Sequence, residues 1–519
     1  MGMKSKKGMS RRDFLKYSGA AAATGMLSGG VRPQRVLAKD PPRELVVAIS
    51  GDPGHMDPRV EAGGIGWSTF CHMYEHGVFR DKDCKPFPQL AEKWTWISPT
   101  VLRWNLRKGV KFHNGENFTT ESVKLSVQQI IAPTSRSPFR DGLSPIKDFK
   151  IHDAYTIDMI VEKPYVPLLG ILCDAFMLSP RALRELGDKF GTNPVGTGQM
   201  KFVEYRPGQH VVMEANPNYW GKKSSFKGLR IRFVPETGTR VAALEVGEVA
   251  MINNVPPDQL PRLRANPNID VLVYPSTRVM FTTIRCDRKP FNDKRVRQAM
   301  NYAVDKEAIT KGLLSGMAPI SRAPVSVGVP AHHPNLPQYN YDPERAKKLL
   351  AEAGATGATF NFASSNGRYL MDRQIGEAIA GYLSAVGLNV KFENPPWGNL
   401  VAEVTKYEKS KYDGYLFGWG TFANHPDWIL RSHFYSKAVK RTMYSNPEVD
   451  RLIEEGAQEF DEQKMKAIYY RIQEMVWDEA SWIFLYEQPT IDAKSKKLQW
   501  SAGRLDEFFW FHDASFVDG

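Results

Sequence analysis

The chain has 519 residues, of which 42 % are hydrophobic, 11 % aromatic and 24 % charged, a composition that excludes disordered, collagen-like and disulfide-dense classes and suits two or three folded domains. It offers no run of about 18–20 apolar residues to span a membrane and no short-period repeat for a solenoid or propeller. Of the formal charge of +12, +7 lies in residues 1–38, so the excess on the remaining 481 residues is thin and gives no basic stripe for nucleic acid.

Residues 1–38 read as an address. Ser10-Arg11-Arg12-Asp13-Phe14-Leu15-Lys16 is followed by an Ala/Gly-rich, weakly apolar stretch and by Val36-Leu37-Ala38, a small-residue ending suited to cleavage. This resembles a twin-arginine export signal. It implies that the twin-arginine translocase carries the chain, already folded, into the periplasm. No cysteine in this stretch serves a lipid anchor, so the expected product is free and soluble. Cys71, Cys84, Cys173 and Cys286 show neither CxxC spacing nor a metal-ligand grouping. The compartment permits a Cys71–Cys84 bridge, whereas folding in a reducing cytoplasm favours free thiols.

Along the mature chain, residues 44–50 read as an opening strand running into the turn Gly51-Asp52-Pro53-Gly54, and a helix is expected over 67–77. Residues 94–97 and 102–106 alternate apolar with polar and form a hairpin about Ser98-Pro99-Thr100. Thr119 or Thr120 caps a helix through Ile131, with Glu121 in its first turn. Strand-like runs recur at 156–161, 211–214, 229–234 and 269–274. Helical patterns then dominate at 294–303, 343–353, 372–386, 447–455 and 462–480, interleaved with strands at 359–363, 389–393 and 415–418. Helices alternating with strands predict α/β lobes on mixed sheets.

One motif suggests chemistry. His72-x-x-Glu75-His76 has the spacing of inverted zinc peptidases, and on one helical turn those side chains can bind a metal and supply a general base. A metal site needs a further ligand, and no other cluster of His, Asp or Glu offers one at a recognisable spacing. There is no G-x-S-x-G elbow, P-loop or H-E-x-x-H. An exported metal hydrolase therefore stands only as an alternative, and no catalytic residue, metal site or cofactor is assigned.

Several segments together carry a family resemblance over nearly all of the mature chain. Leu106-Arg107-Lys108-Gly109-Val110-Lys111-Phe112-His113-Asn114-Gly115, Asn193-Pro194-Val195-Gly196-Thr197-Gly198 and Asn216-Pro217-Asn218-Tyr219-Trp220-Gly221 come first. Thr239-Arg240-Val241-Ala242-Ala243-Leu244, the stretch from Lys289-Pro290-Phe291 to Arg297-Gln298-Ala299, and Tyr412-Asp413-Gly414-Tyr415-Leu416-Phe417-Gly418-Trp419 follow. Their order and spacing resemble the solute-binding proteins of the dipeptide/oligopeptide/nickel type, family 5, which serve ABC importers. The resemblance implies an α/β, two-lobed periplasmic binding-protein clamp. Its first lobe would be discontinuous (44–80, 192–275 and 488–519) with an extra subdomain at 81–191, and its second would span 276–487. Hinges fall near 274–278 and 486–489. A monomer is expected to close on a small-molecule ligand by hinge motion and to hand it to an inner-membrane permease and ATPase.

The resemblance also places candidate ligand contacts. Peptide binders of this family read GWxxD, the Asp taking the peptide ammonium. Here Gly418-Trp419-Gly420-Thr421-Phe422-Ala423-Asn424-His425-Pro426-Asp427 puts Phe422 at that position. A buried ammonium without a carboxylate is strongly unfavourable. A simple dipeptide with a free N-terminus is therefore not the expected ligand, and an opine-like conjugate, a modified peptide or a small glycoside is. Asp427 is the nearest carboxylate along the chain, and a structural role competes for it. Trp419 and Trp397 are aromatic walls or core residues, and Tyr486, beside the second hinge, is a third aromatic wall. Arg368 either grips a ligand carboxylate or bonds protein carbonyls. Thr421 and Asn424 complete the loop. Gly64, Gly66 and Trp67, read as preceding the first helix, would let backbone approach the ligand. Family membership also leaves open a metallophore or nickel-type cargo.

Overall fold

The computed structural model describes residues 43–60, 63–421, 423–438, 441–501 and 503–517. The export signal and Phe422 lie outside them. No described helix is long and apolar enough to cross a membrane.

Two mixed sheets organise the chain. The first has seven strands in the order Ile269–Tyr274, Thr490–Ser495, Met251–Ile252, Glu44–Ile49, Gly228–Phe233, His210–Ala215 and Met200–Arg206. Its central strand Glu44–Ile49 runs parallel to both neighbours, while the outer pairings are antiparallel. The second sheet has five strands: Asn389–Glu393, Thr359–Ala363, Gly414–Gly420, Arg278–Thr283 and Trp482–Glu487. The chain passes from the first sheet to the second through residues 275–277 and returns through 488–489. Two short crossings joining two sheets give a two-lobed clamp. A four-stranded antiparallel sheet, Ala91–Ser98, Val101–Leu106, Thr156–Val161 and Ile146–Asp153, is inserted in the first lobe with the helix Thr120–Ile131.

Local sequence explains several helix starts. Asp293, Asp305, Asp342, Asn446 and Asp461 each accept a main-chain N–H of the first turn. Asp342-Pro343 and Asn446-Pro447 add a proline at the first helical position, where its missing N–H costs nothing. Each such cap contributes about 1 kcal/mol.

Pattern reading passed over several strands, among them Arg278–Thr283 and Trp482–Glu487. Every residue of both is buried. A strand covered on both faces shows no apolar–polar alternation. Val279 and Phe281 pack into one core beneath the second sheet, and Met280 into another that continues across the crossing to Ala48, Ile491 and Ala493.

The first helix is a correction. It spans Gly64–Phe70, not 67–77, and the chain turns at residues 71–73. Gly64, Gly66 and Trp67 therefore lie within this helix rather than before it. His72, Glu75 and His76 follow it and share no helical face. His72 Nε2 faces the Phe511 amide at 3.2 Å. Glu75 accepts from Tyr219 Oη at 2.7 Å and Trp220 Nε1 at 2.9 Å. His76 stacks between Phe79 and Trp67, with ring centroids at 4.7 and 5.4 Å. Among the described residues no group of three or more His, Cys, Asp or Glu could hold a metal ion. The four cysteines are free thiols, three buried and Cys286 half-buried.

The lobes also meet far from the crossings. Val166 N donates to Ala457 O at 2.8 Å, and Phe139 stacks on Trp428 at 5.5 Å. Gly170 sits so close to Ala423 that a Cβ there would land on its carbonyl oxygen.

Candidate functional site

Strand Gly414–Gly420 lies in the middle of the second sheet and sends Tyr415, Phe417 and Trp419 to one face, because side chains two apart share a face. Trp397, the first residue of the helix Trp397–Val404, stacks on Phe417 at 5.7 Å, and Phe417 on Trp419 at 6.0 Å. Two guanidinium groups flank this row. Arg368 lies over Tyr369 and Trp397 at 4.9 and 5.5 Å, and Arg441 over Phe417 and Trp419 at 5.5 and 5.4 Å. No described carboxylate pairs with Arg441. An aromatic row with one guanidinium over Trp397 and another over Phe417 and Trp419 suits an acidic, partly apolar solute.

The row continues between the lobes. Trp419 lies 6.0 Å from Trp428, which stacks on Phe139, and Phe139 meets Trp67 edge-on at 5.8 Å. Trp419 thereby packs against the core of each lobe.

The loop presenting Arg368 is built on one carboxylate. Asp372 accepts the amides of Gly367, Arg368, Tyr369 and Arg373 at 2.9–3.1 Å, and the Ser365 hydroxyl at 2.8 Å. Burial raises the Asp372 carboxyl above its ordinary range, against the lowering effect of those bonds. Gly367 and Met371 take left-handed φ values of 82° and 54°, which fold the loop tightly enough for this. Behind the loop, Tyr369 Oη and Arg278 Nη1 both reach Gly418 O, at 3.2 and 3.1 Å. A Cβ on Gly418 would collide with Met280 Sδ and come within 2.9 Å of the Tyr369 ring. Arg278 is 3 % exposed and is neutralised by Glu507 at 2.6 Å.

The sequence-derived contacts fare unevenly. Trp419, Trp397 and Arg368 come together in one half-buried patch. Thr421 is beside it, its buried hydroxyl without a partner among the described residues, and Asn424 follows in a left-handed turn at φ 50°. Phe422 lies outside the described residues. Asp427 is corrected: it is 1 % exposed and held by Arg431 Nε at 2.8 Å and Tyr469 Oη at 3.2 Å, so its charge is already answered. Tyr486, read as a third aromatic wall, is 1 % exposed, and Trp67, read as preceding the helix, is 2 % exposed within it; both lie in the core. Gly64 borders the space between the lobes, and Gly66 is buried in its helix. Sequence reading missed Arg441, which belongs to no motif, and Asp372. A first-turn aspartate ordinarily signals only dipole compensation, but here it reaches back to the preceding loop.

A family model described as bacterial extracellular solute-binding proteins, family 5, middle region, matches residues 85–441. A twin-arginine translocation signal model matches residues 8–28. The glutathione-binding protein GsiB of Pectobacterium atrosepticum is 28 % identical over 492 residues, covering 92 % of this chain and 95 % of that one. Among solved structures, DppA of Helicobacter pylori in complex with peptide STSA superposes with a TM-score of 0.83 at 23 % identity, covering 91 % of this chain and 98 % of that one. MoaA of A.tumefacien in complex with mannopinic acid gives 0.83 at 24 % identity, over 92 % and 100 %. These likenesses show the two-lobed fold.

Proposed function

The chain belongs to the bacterial extracellular solute-binding proteins of family 5, and from that membership we propose that it captures a small acidic amino-acid conjugate between its lobes. It carries a twin-arginine signal and is exported to the periplasm. There it works with the permease and ATPase of an ABC importer, as a monomer that binds its cargo without converting it.

The aromatic row Trp397–Phe417–Trp419, with Arg368 over Trp397 and Arg441 over Phe417 and Trp419, is the observation that carries the ligand class. Two cations some way apart favour a solute with two acidic groups, and the rings favour an apolar or planar middle. Phe422 in place of the family's ammonium-binding Asp speaks against an ordinary peptide held by its N-terminus. Two of the relatives' cargoes point the same way, glutathione being a γ-linked peptide and mannopinic acid an acidic conjugate, whereas DppA holds the peptide STSA.

Calorimetric titration of the mature chain, stripped of bound solute, tests this. Reduced glutathione, mannopinic acid, an α-linked dipeptide and a neutral disaccharide form the panel. At least one acidic conjugate should bind at micromolar affinity or better, and Arg441→Ala should weaken it. Tightest binding of the disaccharide or the dipeptide would overturn the proposal.

A further inference from the structure

Beside the crossing by which the chain returns to the first lobe lies a small cavity of about 30 Å³, bordered by Asn254, Arg368, Gln488, Thr490, Asp492 and Glu507. That is room for one small polar group, of the size of a water or an ammonium. Its charges are unequal in kind. Glu507 is answered by Arg278 at 2.6 Å and by the Ser276 hydroxyl at 2.8 Å. Asp492 is 2 % exposed and accepts from Tyr274 Oη at 2.6 Å, but it forms no ion pair with a described residue. Burial pushes its carboxyl up to about 7, only partly offset by the bonds from Tyr274 and the Asn254 main chain. One turn of the pleat away on the same strand face, Thr490 is 8 % exposed and its buried hydroxyl has no partner among the described residues. A buried carboxylate lacking a cation and a buried hydroxyl lacking a bond are both unfavourable, and they border one space.

We propose that this cavity receives the protonated amine of the ligand, which Asp492 and Thr490 bind, while Arg368 at its rim takes a carboxylate on the same carbon. The inference rests on the acidic-conjugate reading and narrows it to solutes with a free α-amino-acid head group. The amine anchor has then moved from the position of Phe422 to the return strand Thr490–Ser495. A γ-linked peptide presents such a head. An α-linked peptide does not, because its first α-carboxylate is consumed in the amide.

Titrations of the stripped mature chain with reduced glutathione, N-acetylglutathione and the α-linked isomer Glu-Cys-Gly provide the test, with Asp492→Asn and Thr490→Val alongside wild type. Asp492→Asn keeps an acceptor for Tyr274, and Thr490→Val is nearly isosteric, so melting temperature checks that both remain folded. Glutathione should lose about 30-fold in affinity on acetylation, on α-linkage and in Asp492→Asn, and several-fold in Thr490→Val. N-acetylglutathione should bind wild type and Asp492→Asn alike. Equal ratios of glutathione to N-acetylglutathione affinity in the two proteins would overturn the assignment. If glutathione does not bind, the solute released from the native protein is titrated before and after acetylation, and an acidic solute without an amine overturns this inference alone. A released solute with no carboxylate overturns the reading beneath it.

Discussion

Gly170→Ala adds one methyl group to the seam between the lobes. Gly170 lies in the helix Leu168–Leu172, and its Cβ would fall on the Ala423 carbonyl oxygen, 3.0 Å from the carbonyl carbon and 3.4 Å from Cα. Both partners are main chain, so neither can rotate away. The seam must part by about 1 Å, and a gap of that size forfeits a quarter to a half of each dispersion well across it. The Phe139–Trp428 stack and the Val166–Ala457 hydrogen bond lie on that seam. Overpacking of this kind costs about 1–3 kcal/mol, or roughly 5–150-fold in ligand affinity if binding requires closure. The open form bears none of this, and alanine is the better helix former by about 1 kcal/mol. The variant should therefore match or exceed wild type in ligand-free thermal stability while binding the solute released from native protein more weakly. Unchanged affinity would refute the reasoning, as would a ligand-free stability loss as large as the affinity loss.

Asp372→Asn removes the charge that gathers four amides, and hydrogen exchange at Gly367, Arg368 and Tyr369 should accelerate about 30-fold, corresponding to ~2 kcal/mol of local stability. Exchange at wild-type rates would show that the loop is ordered by something else. Burial lowers His72 and His425 from 6.5 to about 4. The unfolded chain therefore takes up protons first as pH falls, and stability present above pH 6.5 is lost toward pH 4, by about 3 kcal/mol per histidine. Denaturant titrations should show that loss, and His72→Gln should reduce it; parallel curves for the two proteins would remove His72 from the account. Lysines in place of Arg11 and Arg12 should leave unprocessed precursor in the cytoplasm, and normal periplasmic accumulation would mean another export route.

How far sequence carries depends on the kind of signal. Helices 294–303 and 343–352 and strands 359–363 and 389–393 were legible because caps, prolines and alternation act locally. Glu75 and Tyr219-Trp220 were each visible as motif fragments. Only folding shows that one carboxylate serves both aromatic residues, with burial pushing it up to about 7. Trp397 and Trp419, the aromatic half of the candidate site, stand among the residues that sequence reading singles out. Arg441, Asp372 and the Asp492–Thr490 pair were not legible, since their meaning comes from partners that lie far along the chain or are missing. Asp427 misled for the converse reason: a carboxylate near a motif looks available until Arg431, one helical turn on, is seen to hold it.

The central claim, that a ligand held between the lobes keeps this clamp shut, is tested most directly by small-angle scattering of the mature protein. The radius of gyration is measured after stripping the bound solute by unfolding and refolding, and again after restoring it to saturation. The account predicts a smaller radius with solute present, and a smaller change in Gly170→Ala. Saturating, stoichiometric binding with no change in radius would contradict it.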